Sequence, residues 1–130
     1  MIQGQRSMPI LPARDVQASV DYFVDGLGFS LAGITKNDDG SDNFAIVVLD
    51  KITVGLIKST RGDTGDEWAA YLYLDDIEAF NDDITGRGVK VMRGPEDSFY
   101  KCREIELVDP SGNRFVMATD LSPTDDGPGL

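Results

Sequence analysis

The sequence predicts an α+β fold of two βαβββ modules that together form a concave mixed sheet with helices on its outer face. Three observations lead there. Stretches with helical apolar spacing alternate with β-rich runs. The order strand, helix, three strands occurs twice: Asp15-Val16 and Gly28-Phe29 in the first half are answered by Asp76-Ile77 and Gly88-Val89 in the second. Residues 100–120 read as a closing hairpin, because Asp109-Pro110-Ser111-Gly112-Asn113 supplies a proline that presets φ and residues that tolerate positive φ.

Taken in order, residues 1–7 are polar and expected to be loose, and residues 8–11 form a short strand ended by Pro12. Asp15 caps a helix whose apolar face is Val16, Val20, Phe23 and Leu27, closed by Gly26 and Gly28. Strands are expected at residues 29–35, 44–49 and 52–57, the last two joined by Asp50-Lys51. Residues 59–67 are charged and glycine-rich, a linker. The second half repeats the plan: strand 68–74, a helix capped by Asp76 with Ile77, Phe80 and Ile84 on its face, strand 89–92, a loop from 93 to 99, and the hairpin. One domain results, with modules at about 8–58 and 68–120 and a disordered tail at 121–130.

Composition narrows the partners. A formal net charge of −11 over 130 residues argues against nucleic acid or an anionic membrane; it favours cationic ligands, beside the plainer reading that acidity only maintains solubility. No apolar run reaches transmembrane length, and residues 1–8 lack the core of a signal peptide. The one cysteine, Cys102, fits a reducing cytoplasm. Gly26-Leu27-Gly28 follows a helix rather than opening one, so it is no dinucleotide fingerprint.

Several motifs together resemble the glyoxalase / bleomycin resistance / dioxygenase superfamily, the vicinal oxygen chelate proteins. They are Leu11-Pro12-Ala13-Arg14-Asp15-Val16 running into Phe23 and Leu27-Gly28-Phe29, then Arg103-Glu104 followed by Asp109-Pro110-Ser111-Gly112-Asn113. The resemblance covers about residues 8–120, and the first helix looks most like the bleomycin resistance proteins. It implies a homodimer that sequesters a cationic antibiotic between paired sheets without altering it.

Metal-using members of that superfamily place four ligands on inward strand positions, which map here to Met8, Gly55, Ala69 and Val116. None supplies an imidazole or carboxylate, and the chain has no histidine, so neither a metal nor another cofactor is expected. Acidic pairs such as Asp38-Asp39 and Asp82-Asp83 read as solvated faces and caps, although a carboxylate-only site for a hard divalent ion is not closed off by residue type.

Strand alternation predicts the lining of the cup. If Ala69 points inward, so do Tyr71 and Tyr73; Gly55 brings Thr53 and Ile57; and the last hairpin contributes Glu104 and Glu106 opposite Arg114, Val116 and Ala118, while Ile105 and Leu107 face the helices. Trp68 and Tyr100 rim the pocket. The candidate ligand-binding residues are therefore Tyr71, Tyr73, Glu104, Glu106, Arg114, Trp68, Tyr100 and Thr53. Aromatic faces and carboxylates suit a flat cation. Alternative roles stand beside each: tyrosines filling the sheet, Trp68 in the core or a dimer contact, Glu104 paired with Arg114 across the hairpin. Cys102 has no histidine to act as its base and reads as a small buried residue. No catalytic residue is assigned. Two other functions compete with sequestration: an atypical metal-free lyase or isomerase using Glu104 or Glu106 as acid/base, and an acidic protein-interaction module.

Overall fold

A computed structural model describes residues 1–60 and 65–122. The tail expected at 121–130 therefore falls mostly outside the described residues, as does part of the 59–67 linker. The first module contains β1 (Ile10–Ala13), α1 (Val16–Asp21), β2 (Ser30–Lys36), β3 (Asp42–Leu49) and β4 (Ile52–Lys58); the second contains β5 (Trp68–Tyr73), α2 (Ile77–Gly86), β6 (Arg93–Asp97), β7 (Cys102–Val108) and β8 (Arg114–Asp120). Each module makes a four-stranded sheet, in the order β1-β4-β3-β2 and β5-β8-β7-β6. In both, the strand before the helix pairs in parallel with the last strand, and the other pairs are antiparallel. The α+β fold of two βαβββ units is as predicted. Among the described residues, no helix is long and apolar enough to cross a membrane.

Each helix starts where its cap predicts. Asp15 accepts from Ala18 N at 3.1 Å and Asp76 from Ala79 N at 3.0 Å, so one carboxylate satisfies an orphan N–H at each end. The first helix differs from the expected regular one: after α1 it widens into a single π-helical turn, Tyr22–Gly26, closed by Leu27 N donating to Tyr22 O at 3.0 Å. Phe23 and Leu27 nevertheless both stay buried.

The strand expected at 89–92 is displaced. Val89 and Val91 pack against the core as irregular chain, and pairing starts at Met92, whose N–H donates to Glu106 O. β6 follows at Arg93–Asp97, inside the stretch predicted to be a loop. Gly94-Pro95 reads as a loop signal, but a proline is tolerated on an edge strand, where no inward N–H is required. Gly94 also has φ +91, and a Cβ there would lie 2.2 Å from Glu104 O. Only glycine fits so close a backbone crossing.

The helix-facing sides of both sheets share one core. Phe23 stacks on Phe115 of β8 (5.6 Å) and meets Phe29 edge-on (5.2 Å), so the two modules are joined through aromatic packing. Beside it the β7–β8 turn clasps the first module. Asn113 Nδ2 donates to Pro12 O at 2.7 Å, and Arg14 N donates to Ser111 Oγ at 3.0 Å. Asp109 organises the turn from within, accepting from Ser111 N, Asn113 N and Asn113 Nδ2, each at 2.9 Å. Burial raises the Asp109 pKa, with these hydrogen bonds opposing the shift.

Replacing Asn113 by alanine removes the side-chain donor to a part-buried carbonyl on Pro12 and to the buried Oδ2 of Asp109 at once. It is expected to cost about 2–3 kcal/mol, read as a lower urea midpoint at unchanged slope.

Candidate functional site: an aromatic and ion-paired wall

The second sheet turns Ile105, Leu107, Phe115 and Met117 to the core, and the alternate residues to the opposite face. There Cys102, Val116 and Ala118 form a separate small cluster under Tyr71 and Tyr100. Cys102 is fully buried and free, as expected of a small packing residue.

A bulge in β5 decides which residues join this wall. The pairing with β8 slips between Trp68 and Ala70, so Trp68 falls opposite Arg114, Tyr71 opposite Val116 and Tyr73 opposite Ala118. Ala69 instead packs against the main core, which corrects its expected inward direction. The result is an aromatic row centred on Tyr71. Its ring lies 5.7 Å from Trp68, 5.1 Å from Tyr73 and 6.2 Å from Tyr100, and Phe99 lies 5.0 Å beyond Tyr100. Trp68 and Tyr73 are 46% and 48% exposed, leaving substantial ring surface for a ligand.

Beneath the rings, charges are paired. Glu104 is only 4% exposed. Its Oε2 accepts from Tyr71 OH at 2.7 Å and Tyr100 OH at 2.6 Å, and its Oε1 from Arg93 Nη2 at 3.0 Å. Glu106 accepts from Trp68 Nε1 at 2.6 Å on Oε1 and from Arg114 Nη1 at 3.1 Å on Oε2, with Arg93 Nε 3.8 Å from Oε2. Arg93 also pairs with Glu96. Burial by itself pushes the Glu104 carboxyl up, but the bonds from Tyr100, Tyr71 and Arg93 outweigh it and hold its pKa below 4.5. Burial and the bond to Glu104 raise the Tyr71 phenol in turn, keeping it a donor.

Seven of the eight predicted site residues therefore meet: Trp68, Tyr71, Tyr73, Tyr100, Glu104, Glu106 and Arg114. Thr53 does not join them. It lies on the first sheet opposite Val48, among outward-facing Phe44, Ile46, Gly55 and Ile57. The suggested Glu104–Arg114 pair is replaced by Glu104–Arg93 and Glu106–Arg114, because the register sets Glu104 against Ala118 and Glu106 against Val116. Sequence reading missed Arg93 and Phe99, having assigned both to a loop. Once β6 is recognised, Arg93 falls opposite Glu106 and its role follows.

The positions corresponding to metal ligands do not fit a metal. Gly55 has no side chain, and a Cβ there would meet Ile10 Cδ1 at 2.7 Å and Phe44 Cζ at 2.9 Å. Val116 is an apolar residue inside the Cys102 cluster. Among the described residues, no three His, Cys, Asp or Glu side chains converge as metal ligands.

The Glu104 pKa fixes a pH dependence. With its folded value depressed, the stability it contributes is complete above 4.5 and is lost as pH falls through the lower folded value. Glu104→Gln is expected to be less stable than the parent at pH 7, with the gap narrowing as pH falls below 4.5, as read by denaturation across that range.

A family model described as Glyoxalase superfamily protein matches residues 1–122. No match was found among curated protein sequences. Solved structures share the fold. A glyoxalase-related enzyme from Clostridium phytofermentans is 15% identical with a TM-score of 0.76, over 91% of this chain and 96% of that one. TnmS3, an antibiotic binding protein from Streptomyces sp. CB03234, is 20% identical at 0.70, over 92% and 98%. A bleomycin-binding protein from Streptomyces verticillus, solved with copper(II)-bleomycin, is 22% identical at 0.64, over 90% and 97%. With the family model spanning nearly all of the folded residues, the chain belongs to the glyoxalase superfamily.

Proposed function

We propose that this protein is a metal-independent binding protein that sequesters a flat, cationic aromatic ligand of the antibiotic kind, unaltered, in a dimer cleft. The observation that carries the reading is the row Trp68, Tyr71, Tyr73 and Tyr100 held over a base of paired charges. Because Glu104 and Glu106 are already engaged, the ligand's positive charge is met by aromatic faces, at about 0.5–2 kcal/mol per cation–π contact. The net charge of −11 adds long-range attraction. Similarity to an antibiotic binding protein and a bleomycin-binding protein supports the same reading. The lone buried Cys102 is consistent with a cytoplasmic setting.

The acid/base alternative is disfavoured by the same geometry. Both Glu104 oxygens are occupied, and a carboxyl held below 4.5 carries no proton to donate near neutral pH. Glu106 is similarly engaged by Trp68 and Arg114.

The proposed dimer is supported by the first sheet. Its outward face leaves Ile10 46% and Ile57 42% exposed beside a half-buried Phe44, an apolar surface that a second copy would cover. Ile57→Glu on that face is expected to convert a dimer into a monomer in sedimentation velocity. A monomeric parent protein would count against the dimer cleft.

Ligand binding is testable with metal-free bleomycin as the probe. Saturable quenching of Trp68, the only tryptophan, is expected, unchanged by EDTA, with the drug recovered at its original mass. Tyr71→Leu is expected to weaken binding about 5- to 30-fold, the equivalent of one good cation–π contact. A flat titration, or a chemically altered drug, would refute the assignment for this ligand type.

A further inference from the structure

The internal repeat leaves one position filled in the first module and open in the second. Asp15 and Asp76 are equivalent caps, so Pro12 and Arg14 correspond to Tyr73 and Asp75. Against Pro12 and Arg14 lies the five-residue turn between β7 and β8, which fills the space and hydrogen-bonds both. The corresponding turn between β3 and β4 is only Asp50 and Lys51. It is too short to reach across, and a cleft of about 610 Å³ remains between this turn and the start of α2, bordered by Tyr73 and Ala79.

We propose that this cleft is a second ligand site, distinct from the aromatic wall, which takes a small amine with a hydrocarbon body. Its volume lies within the range of about 300–1,000 Å³ typical of small-molecule pockets. The floor is hydrophobic: Leu49, Ile52, Leu74 and Phe80 are half-buried against the core. The rim carries three carboxylates, Asp50, Asp75 and Asp76, against the single ammonium of Lys51. Asp76 is committed to capping Ala79, whereas among the described residues the Asp50 and Asp75 carboxylates have no hydrogen-bond or ion-pair partner. An ammonium at the rim gains two acceptors that the fold has not used, while its apolar body covers the floor. A carboxylate ligand of the same shape meets repulsion instead. Tyr73 borders both sites, so an occupant here abuts the end of the aromatic row.

The test is a titration of ¹⁵N-labelled full-length protein with 2-phenylethylammonium chloride, and with 3-phenylpropionate as the oppositely charged control. Saturable amide shifts at Asp50, Lys51, Leu74, Asp75 and Ala79 are expected for the amine and none for the carboxylate. Asp50→Asn with Asp75→Asn, both at the rim, should weaken the amine about fivefold, roughly the effect of losing partly exposed ion pairs. Ala79→Trp should fill the cleft and abolish the shifts, with bleomycin binding at the wall unchanged; if that variant fails to fold, the aspartate pair decides. No saturable shift in the cleft, equal shifts with 3-phenylpropionate, or shifts confined to Trp68 and Tyr71 would each overturn the proposal. The last outcome would leave the wall's function intact, so the two sites stand or fall separately.

Discussion

A carboxylate taken out of water costs several kcal/mol unless charges and hydrogen bonds replace its hydration, and Glu104 sets that requirement at the centre of the second sheet. Three donors meet it: two phenols and one guanidinium, all directed to the same side chain. Meeting the requirement has structural consequences outside the pair. Tyr71 and Tyr100 are held with their hydroxyls down and their rings in mutual contact, and Arg93 must come from β6, which ties the edge strand to the middle of the sheet. Glu106 repeats the arrangement one pleat along with Trp68 and Arg114. The wall is thus preorganised. Its aromatic side chains are positioned by the fold itself, so a ligand of the proposed kind would meet a lower ordering cost on binding.

That arrangement also explains why charge type and charge availability must be separated. Acidic side chains on the sheet suggest direct salt links to a cation, yet Glu104 and Glu106 are neutralised by the chain's own Arg93 and Arg114. What remains accessible is ring surface. In the proposed reading the net charge acts at long range, where it favours encounter with cations, and the ring surface of Trp68, Tyr71, Tyr73 and Tyr100 is what the sheet offers at short range.

The two βαβββ units differ in the turn that joins their last two strands. In one half a five-residue turn built round Asp109 fastens the modules together; in the other, a two-residue turn leaves a cleft. Function in this superfamily fold is carried by side chains placed on a common frame. Here the frame holds glycine and valine at Gly55 and Val116, where chelating relatives need donors, and the neighbouring positions hold rings and ion pairs.

The caps at Asp15 and Asp76, the apolar spacing Val16-Val20-Phe23-Leu27, the repeat and the turn at Asp109-Asn113 were all legible in the sequence, because caps, amphipathic spacing and turn chemistry act within a few residues. Those local rules determined the α+β class, the two modules and most of the residues on the wall. The tertiary structure decided what depends on registry between distant strands. It placed Arg93 on an edge strand that Gly94-Pro95 disguises as a loop, and the β5 bulge exchanged Ala69 for Trp68 on the outward face. It also paired Glu104 with Arg93 and Glu106 with Arg114, and left Thr53 on the other sheet. A slip of one residue turns a side chain to the opposite face, and such slips are set by packing between strands far apart in the chain, so no local pattern records them.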